Sequence, residues 1–342
     1  MKRIIIIFIA VAFCVELNAQ DLKVLFVGNS YTYVNDLPNI LKQIAQSNGK
    51  NITTKSFTYG GARLMSHWEN EELQETIKNG KYDIIILQGQ SQEMAFPPEQ
   101  FNKEVYPYAK KLDSLYKENN PNGRVIYFMT WGYRYGDKVN CPFYPPYCTY
   151  ETMSQELCQN YCKVASDFNS EVSPIGSAWL YLFNQDSISF DLHSSDYSHP
   201  NIKGSYFSAC VLYTTIFKTG IVTSYTAQFN QEVATALQQT ANFLFSNNTF
   251  NNCSFTSLLP NLPKNDIDVH YIATQRLLEV INYSNQKNII LEIYNLNGIK
   301  IKQFVVENKG RSLFDVKVIC DGYYITKIRT KKSVCTYNFI KQ

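Results

Sequence analysis

Up to about residue 245, short unbroken apolar runs take turns with stretches of helical period. Residues 23–27, 52–57, 82–87 and 124–129 read as strands. The runs at 82–87 and 124–129 have the continuous apolar character of strands buried on both faces. Residues 37–47 place Leu37, Ile40, Leu41 and Ile44 on one helical face. Residues 64–79 read as a helix stopped by Gly80, and 98–117 as a long helix with proline in its first turn. Helices are also expected over 150–169, 202–217 and 227–245. This alternation predicts an α/β domain with a mostly parallel sheet covered on both faces.

The pattern then changes. Residues 247–264 open with Asn-Asn-Thr-Phe-Asn-Asn, contain Pro260 and Pro263, and read as a polar linker. Beyond them helical periodicity disappears. Residues 277–281, 288–294, 300–306, 312–318, 323–329 and 334–340 alternate like strands, with Asn297-Gly298 and Asp321-Gly322 as hairpin turn signals. Residues 265–342 are therefore expected to form a small all-β domain, a sandwich. At the other end, Lys2 and Arg3 precede an apolar run over 4–15, and Leu17-Asn18-Ala19 offers a cleavage site before Gln20. Residues 1–19 read as a secretory signal peptide. The run is too short for a comfortable transmembrane span, and no other stretch reads as one. A lipoprotein reading would use Cys14, but Phe13 is too bulky for the small residue that normally precedes a lipidated cysteine. The expected organisation is a signal peptide (1–19), a main domain (20–246), a linker (247–264) and a β domain (265–342).

Charge separates the two domains. Without residues 1–19 the chain keeps 30 basic and 28 acidic residues, but 265–342 alone holds 12 basic against 7 acidic. The main domain is thus slightly acidic, which argues against nucleic acid as a partner. The 25 tyrosines would suit carbohydrate contacts, although tyrosine is also ordinary core and strand material. Eight of the nine cysteines follow the signal, and export makes disulfides possible. Cys141 and Cys148 could close a Pro/Tyr-rich loop. Cys158 and Cys162 share a helix face, are poorly placed to bond each other, and could reach Cys141 or Cys148. Cys320 and Cys335 could pair across tail strands. Zinc is disfavoured, because there is no CxxC pair and the histidines are scattered.

Candidate chemistry gathers at strand ends. Ser30 follows the apolar run 24–27 and Gly28-Asn29, where an open parallel sheet places its ligands. A serine hydroxyl needs a base to become a nucleophile. His199 supplies an imidazole, and Asp196, three residues earlier, can orient it. Pro200 stiffens the exit and Asn201 can cap the helix that follows. His193 is a second candidate base, but no Pro-Asn-helix follows it. The read-alone alternatives are a helix-capping serine and an ordinary surface turn. Oxyanion donors are also needed. Tyr59-Gly60-Gly61-Ala62 follows the second strand and Gln88-Gly89-Gln90-Ser91 the third.

These blocks, in this order, resemble the SGNH or GDSL-like hydrolase superfamily over roughly residues 22–246. Gly28-Asn29-Ser30 is similar to the first block, with Asn29 where many members have aspartate. Gly60 or Gly61 matches the glycine block, and Asp196-Tyr197-Ser198-His199 the final Asp-x-x-His block. The third block departs: Gln88-Gly89-Gln90-Ser91 resembles instead the Gln-Gly-Glu-Ser pattern of sialate and carbohydrate acetylesterase-like members. Thr130-Trp131-Gly132, residues 174–179 and Gly204-Ser205-Tyr206 also look like an uncharacterised bacterial subfamily. The resemblance implies a three-layer α/β/α, flavodoxin-like fold and an ester hydrolase needing no metal or organic cofactor. Ser30 would be the nucleophile, His199 the base and Asp196 its orienter. The Ser30 N–H, a Gly60 or Gly61 N–H and the Gln88 side chain, with Gln90 as the alternative, would hold the oxyanion. Asn29, Trp131, Tyr133 and Tyr135 are candidate substrate contacts, the aromatic ones equally readable as loop packing.

The tail resembles the C-terminal sorting domains of Bacteroidetes type IX secretion cargo, through residues 291–298, Gly322-Tyr323-Tyr324-Ile325 and the closing 331–341 stretch. An ordinary carbohydrate-binding sandwich is the alternative. The expectation is a secreted or outer-surface serine esterase acting on acylated carbohydrate, handled by the type IX machinery. The rivals are a glycan-binding protein that no longer catalyses, and an esterase for lipid or other acyl esters.

Overall fold

The computed structural model describes residues 21–186, 191–246, 267–272, 276–282, 287–295, 298–329 and 334–341. The expected signal peptide and linker lie outside the described residues.

Strand β1 (Leu22–Gly28) carries Val24, Leu25, Phe26 and Val27, all buried. Successive strand side chains point to opposite faces, so a strand apolar at every position must be covered twice. Val24 and Phe26 join one core cluster, Leu25 and Val27 the other. The chain continues through α1 (Ser30–Tyr33), α2 (Leu37–Ser47), β2 (Ile52–Thr58), α3 (Leu64–Trp68) and α4 (Glu71–Asn79). Next come β3 (Ile84–Leu87), α5 (Pro98–Glu104), α6 (Tyr106–Asn119), β4 (Arg124–Phe128) and α7 (Tyr150–Phe168). The layer closes with β5 (Glu171–Ser173), α8 (Ile175–Asp186), α9 (Ile202–Phe217) and α10 (Gln231–Ser246). The five strands are parallel, in the order β2-β1-β3-β4-β5. Helices α2, α8, α9 and α10 cover one face, and α3 to α7 the other.

This is the expected three-layer α/β/α fold. Its strand order is the flavodoxin-like one, which places ligands beyond the carboxyl ends at the point where the order reverses. Here that point lies between β1 and β3.

Two expected helices are each broken in two. The Asn70 side chain accepts the Leu73 N–H at 2.9 Å and starts α4 afresh. Val105 leaves helical geometry just before Pro107, which has no N–H for a continuous helix. Strand β5 and helix α8 were not predicted.

The remaining strands are β6 (Ile267–Ile272), β7 (Leu277–Asn282), β8 (Ile289–Asn295), β9 (Lys300–Val306), β10 (Gly310–Asp315), β11 (Gly322–Arg329) and β12 (Val334–Lys341). They form antiparallel sheets ordered β10-β7-β6 and β12-β11-β8-β9. Val269, Leu278 and Val280 of one sheet share a core with Leu291, Ile293 and Ile328 of the other, which makes a small sandwich. Strand β6 adds to the expected set. Cys141 and Cys148 are bonded. Cys162 is also in a disulfide, with neither of those two. Cys320 is free, so the expected pairing with Cys335 is not made. Among the described residues no helix is long and apolar enough to cross a membrane.

Candidate active site

Strand β1 delivers Ser30 to the reversal point. Gly28 ends the strand where an added Cβ would meet Gln88 Oε1 at 2.6 Å and Thr32 Oγ1 at 2.7 Å, so a side chain has no room. Asn29 caps α1, its Oδ1 accepting the Tyr31 N–H at 3.0 Å. Ser30 is the first helical residue.

Its partners come from the turn before α9. Ser30 Oγ lies 2.8 Å from His199 Nε2, and His199 Nδ1 lies 2.5 Å from Asp196 Oδ2. An ionised carboxylate can only accept, so Nδ1 carries the proton and Nε2 is left to accept from the serine. Asp196 Oδ1 accepts from Ser194 Oγ and from the Ser198 and His199 N–H groups. Partial burial pulls the Asp196 carboxyl up, but these donors and His199 outweigh it and hold the group well below the usual carboxylate range. Asn201 caps α9 through the Gly204 N–H at 3.0 Å, which anchors the turn.

The glycine loop stands opposite. Asn29 Nδ2 donates to Ala62 O at 3.3 Å, bringing residues 59–62 close to the Ser30 loop. Gly61 has φ +67°, a left-handed conformation natural to glycine, and both glycines are exposed. The N–H groups of Ser30, Gly60 and Gly61 have no acceptor among the described residues. They are available to an oxyanion.

The oxyanion role expected of Gln88 is not what its contacts show. Gln88 is fully buried, and its amide is spent on the loop. Its Oε1 accepts the Asn29 N–H at 2.9 Å and the Thr32 hydroxyl at 2.8 Å. Its Nε2 donates to Asn29 Oδ1 at 2.9 Å and to Gly89 O at 2.5 Å. Both amide protons are committed, so Gln88 shapes the Ser30 loop and has no N–H left for substrate. Gln90 donates one N–H to Ser91 Oγ at 2.9 Å, and its Oε1 accepts from Gln92 and Glu93.

The candidate substrate contacts divide. Asn29 is buried and occupied as a cap and loop tie. Trp131 is fully buried, stacked between Tyr31 at 4.6 Å and Trp179 at 3.7 Å, with its N–H on Ser198 O. It supports the histidine turn from beneath and cannot line a sugar site, which corrects that expectation. Tyr133 is half-buried, its hydroxyl 3.2 Å from Ser91 Oγ. Tyr135 is exposed. His193 is buried, donates to Gly132 O at 3.1 Å, and is pushed down to about 4 by burial. It is no base for Ser30, whose partner is His199.

Several residues of the site carried no sequence signal of their own. Tyr31 is buried, with its hydroxyl 2.6 Å from Ser198 Oγ and its ring edge-on to His199. His67 donates from Nε2 to Gly28 O at 2.9 Å and is held neutral by burial, at about 4. Buried Glu93 accepts the N–H groups of Leu64 and Gln90 and the Arg63 guanidinium, joining the loops after β2 and β3. Tyr197 stands exposed within the Asp196–His199 turn.

No protein-family model matches the chain, and neither does any curated protein. Solved structures do. A DUF4886 family protein from Bacteroides uniformis aligns over 66% of this chain and 95% of its own, at 16% identity and a TM-score of 0.56. A protein described as an SGNH hydrolase from Slackia heliotrinireducens aligns over 57% and 99%, at 22% identity and a TM-score of 0.47. A variant of a Geobacillus acetyl-xylooligosaccharide esterase aligns over 58% and 93%, at 16% identity and a TM-score of 0.40. Of these three, the first superposes well enough to speak for the fold, and at such identity it speaks for the fold alone.

Proposed function

We propose that the protein is a serine ester hydrolase, a carbohydrate O-acetylesterase in particular. The observation that carries this reading is the Ser30–His199–Asp196 array, 2.8 Å and 2.5 Å link by link, beside N–H groups that have no acceptor among the described residues. Ser30 Oγ attacks the ester carbonyl carbon while His199 Nε2 takes its proton. The carbonyl oxygen becomes an oxyanion held by the Ser30 N–H and a Gly60 or Gly61 N–H. The carbon–alkoxide bond then breaks, and His199 returns the proton to the departing alcohol. Water, deprotonated by His199, attacks the acyl-serine and releases the acid and free Ser30. Asp196 stays ionised throughout and stabilises the imidazolium.

The signal-like N-terminus and the tail that resembles a type IX sorting domain support export and release at the cell surface. The full set of donors on Asp196 favours an active site over a retired one.

Purified Ser30→Ala tests the reading. Turnover of p-nitrophenyl acetate should fall by about 10⁴-fold or more, and a fluorophosphonate probe should label the native protein but not the variant. Near-native turnover by Ser30→Ala would end this proposal.

A further inference from the structure

The turn that carries His199 holds an aromatic residue, paired with another from a neighbouring loop, that the chemistry above does not use. The turn is cinched by the Ser194 N–H on His199 O at 2.7 Å and by a bridge between His193 and Pro200. Tyr197 sits at its tip with φ +62°. Glycine, asparagine or aspartate fits that conformation readily, and a bulky tyrosine does not. Nor does burial account for the ring, which is 49% exposed. Neither backbone preference nor core packing calls for tyrosine here.

The ring has a partner from another loop. Tyr135, 53% exposed, meets Tyr197 edge to face at 4.9 Å. The Arg134 N–H donates to Tyr197 O at 2.8 Å and locks the loops together. Behind Tyr135, Asp137 accepts the Val139 and Asn140 N–H groups, and the Cys141–Cys148 bond closes the loop. The Lys138 ammonium lies 5.6 Å from the Tyr135 ring. The pair is therefore held in place before any ligand arrives, which spares the ordering entropy of binding.

We infer that Tyr197 and Tyr135 form a subsite for the sugar rings of the leaving group. The inference rests on the hydrolase reading of Ser30. Tyr197 lies two residues from His199, which hands its proton to the departing oxygen. A group just released there meets aromatic faces, phenolic hydroxyls and an ammonium within one patch. That mixture suits a polyol, whose C–H face packs on a ring while its hydroxyls find donors and acceptors. An alkyl chain would need an uncharged slot. The substrate class is an O-acetylated oligosaccharide that extends past the scissile ester.

The test compares acetate release from vinyl acetate, whose leaving group is too small to reach the rings, with release from chemically O-acetylated xylotriose, mannotriose and cellotriose. The readout is the ratio of kcat/KM for the best trisaccharide to that for vinyl acetate, which does not depend on how much enzyme is folded. Tyr197→Gly, which keeps the backbone at ease, and Tyr135→Ala should each lower this ratio about tenfold, through KM. A ratio unchanged in both variants overturns the subsite. So does a native enzyme that labels at Ser30 yet acts on none of the three trisaccharides. Absence of labelling strikes instead at the hydrolase reading and takes the subsite with it.

Discussion

Ser30, His199 and Asp196 each have a reason to be where they are that can be stated in single hydrogen bonds. Gln88 illustrates how residue type and role diverge. An amide at a strand end invites an oxyanion role, but its neighbours claim all of it. Replacing it with leucine strands the Asn29 N–H and the Thr32 hydroxyl without partners. Gln88→Leu should lose about 1–3 kcal/mol of stability, measured by urea unfolding, together with activity. Were Gln88 the oxyanion donor, kcat would fall by about 10²-fold with stability unchanged. Ser30, Asp196 and His199 were legible because the chain has four histidines in all, and one of them follows an aspartate by three residues downstream of a strand-end serine. Tyr31 and Tyr197 were not, because tyrosine is common here and only contact reveals which tyrosine matters.

Among elements, the loops after β1, β2 and β3 act as one unit. Glu93 is the tie: fully buried, it takes N–H groups from both later loops and pairs with Arg63. Burial pushes its carboxyl up against the pull of those donors. Glu93→Gln should lower stability by about 2 kcal/mol or more, since it breaks a buried pair, and should slow Ser30 labelling by loosening the glycine loop. An unchanged denaturation midpoint would show that the loops hold without it. Nothing in the stretch Gln92-Glu93-Met94 marks this residue, because its partners Arg63 and Leu64 are about 30 residues away. Strand β5 escaped for another reason: three residues, Glu171–Ser173, are too few to show a period. The broken helices were misjudged because an apolar stripe can run on across a cap that restarts the backbone.

For the whole molecule, the buried histidines couple stability to pH. His67 and His193 are both pushed down to about 4 by burial, against about 6.5 in an unfolded chain. Between those values the unfolded state binds protons that the folded state refuses. Stability therefore rises with pH across the window from about 4 to about 6.5, and falls on acidification through it. Each histidine accounts for at most about 3 kcal/mol of that loss. Urea midpoints taken from pH 7 to pH 4.5 should drop steeply in the native protein and less steeply in His67→Gln. Equal slopes would show that His67 is not held neutral.

By itself the sequence determined the alternation of strands and helices, hence the parallel sheet and the later β sandwich, and it singled out Ser30, Asp196 and His199 as candidates. These follow from local periodicity and from the scarcity of histidine, of which the sequence has four. The tertiary structure decided what each candidate touches. Only the fold could show that Trp131 lies under the turn, that Gln88 is consumed and that Tyr197 faces outward. Those facts depend on contacts between residues far apart in the chain, 59 residues for Gln88 and Asn29 and 67 for Trp131 and Ser198, and no local pattern encodes such a distance.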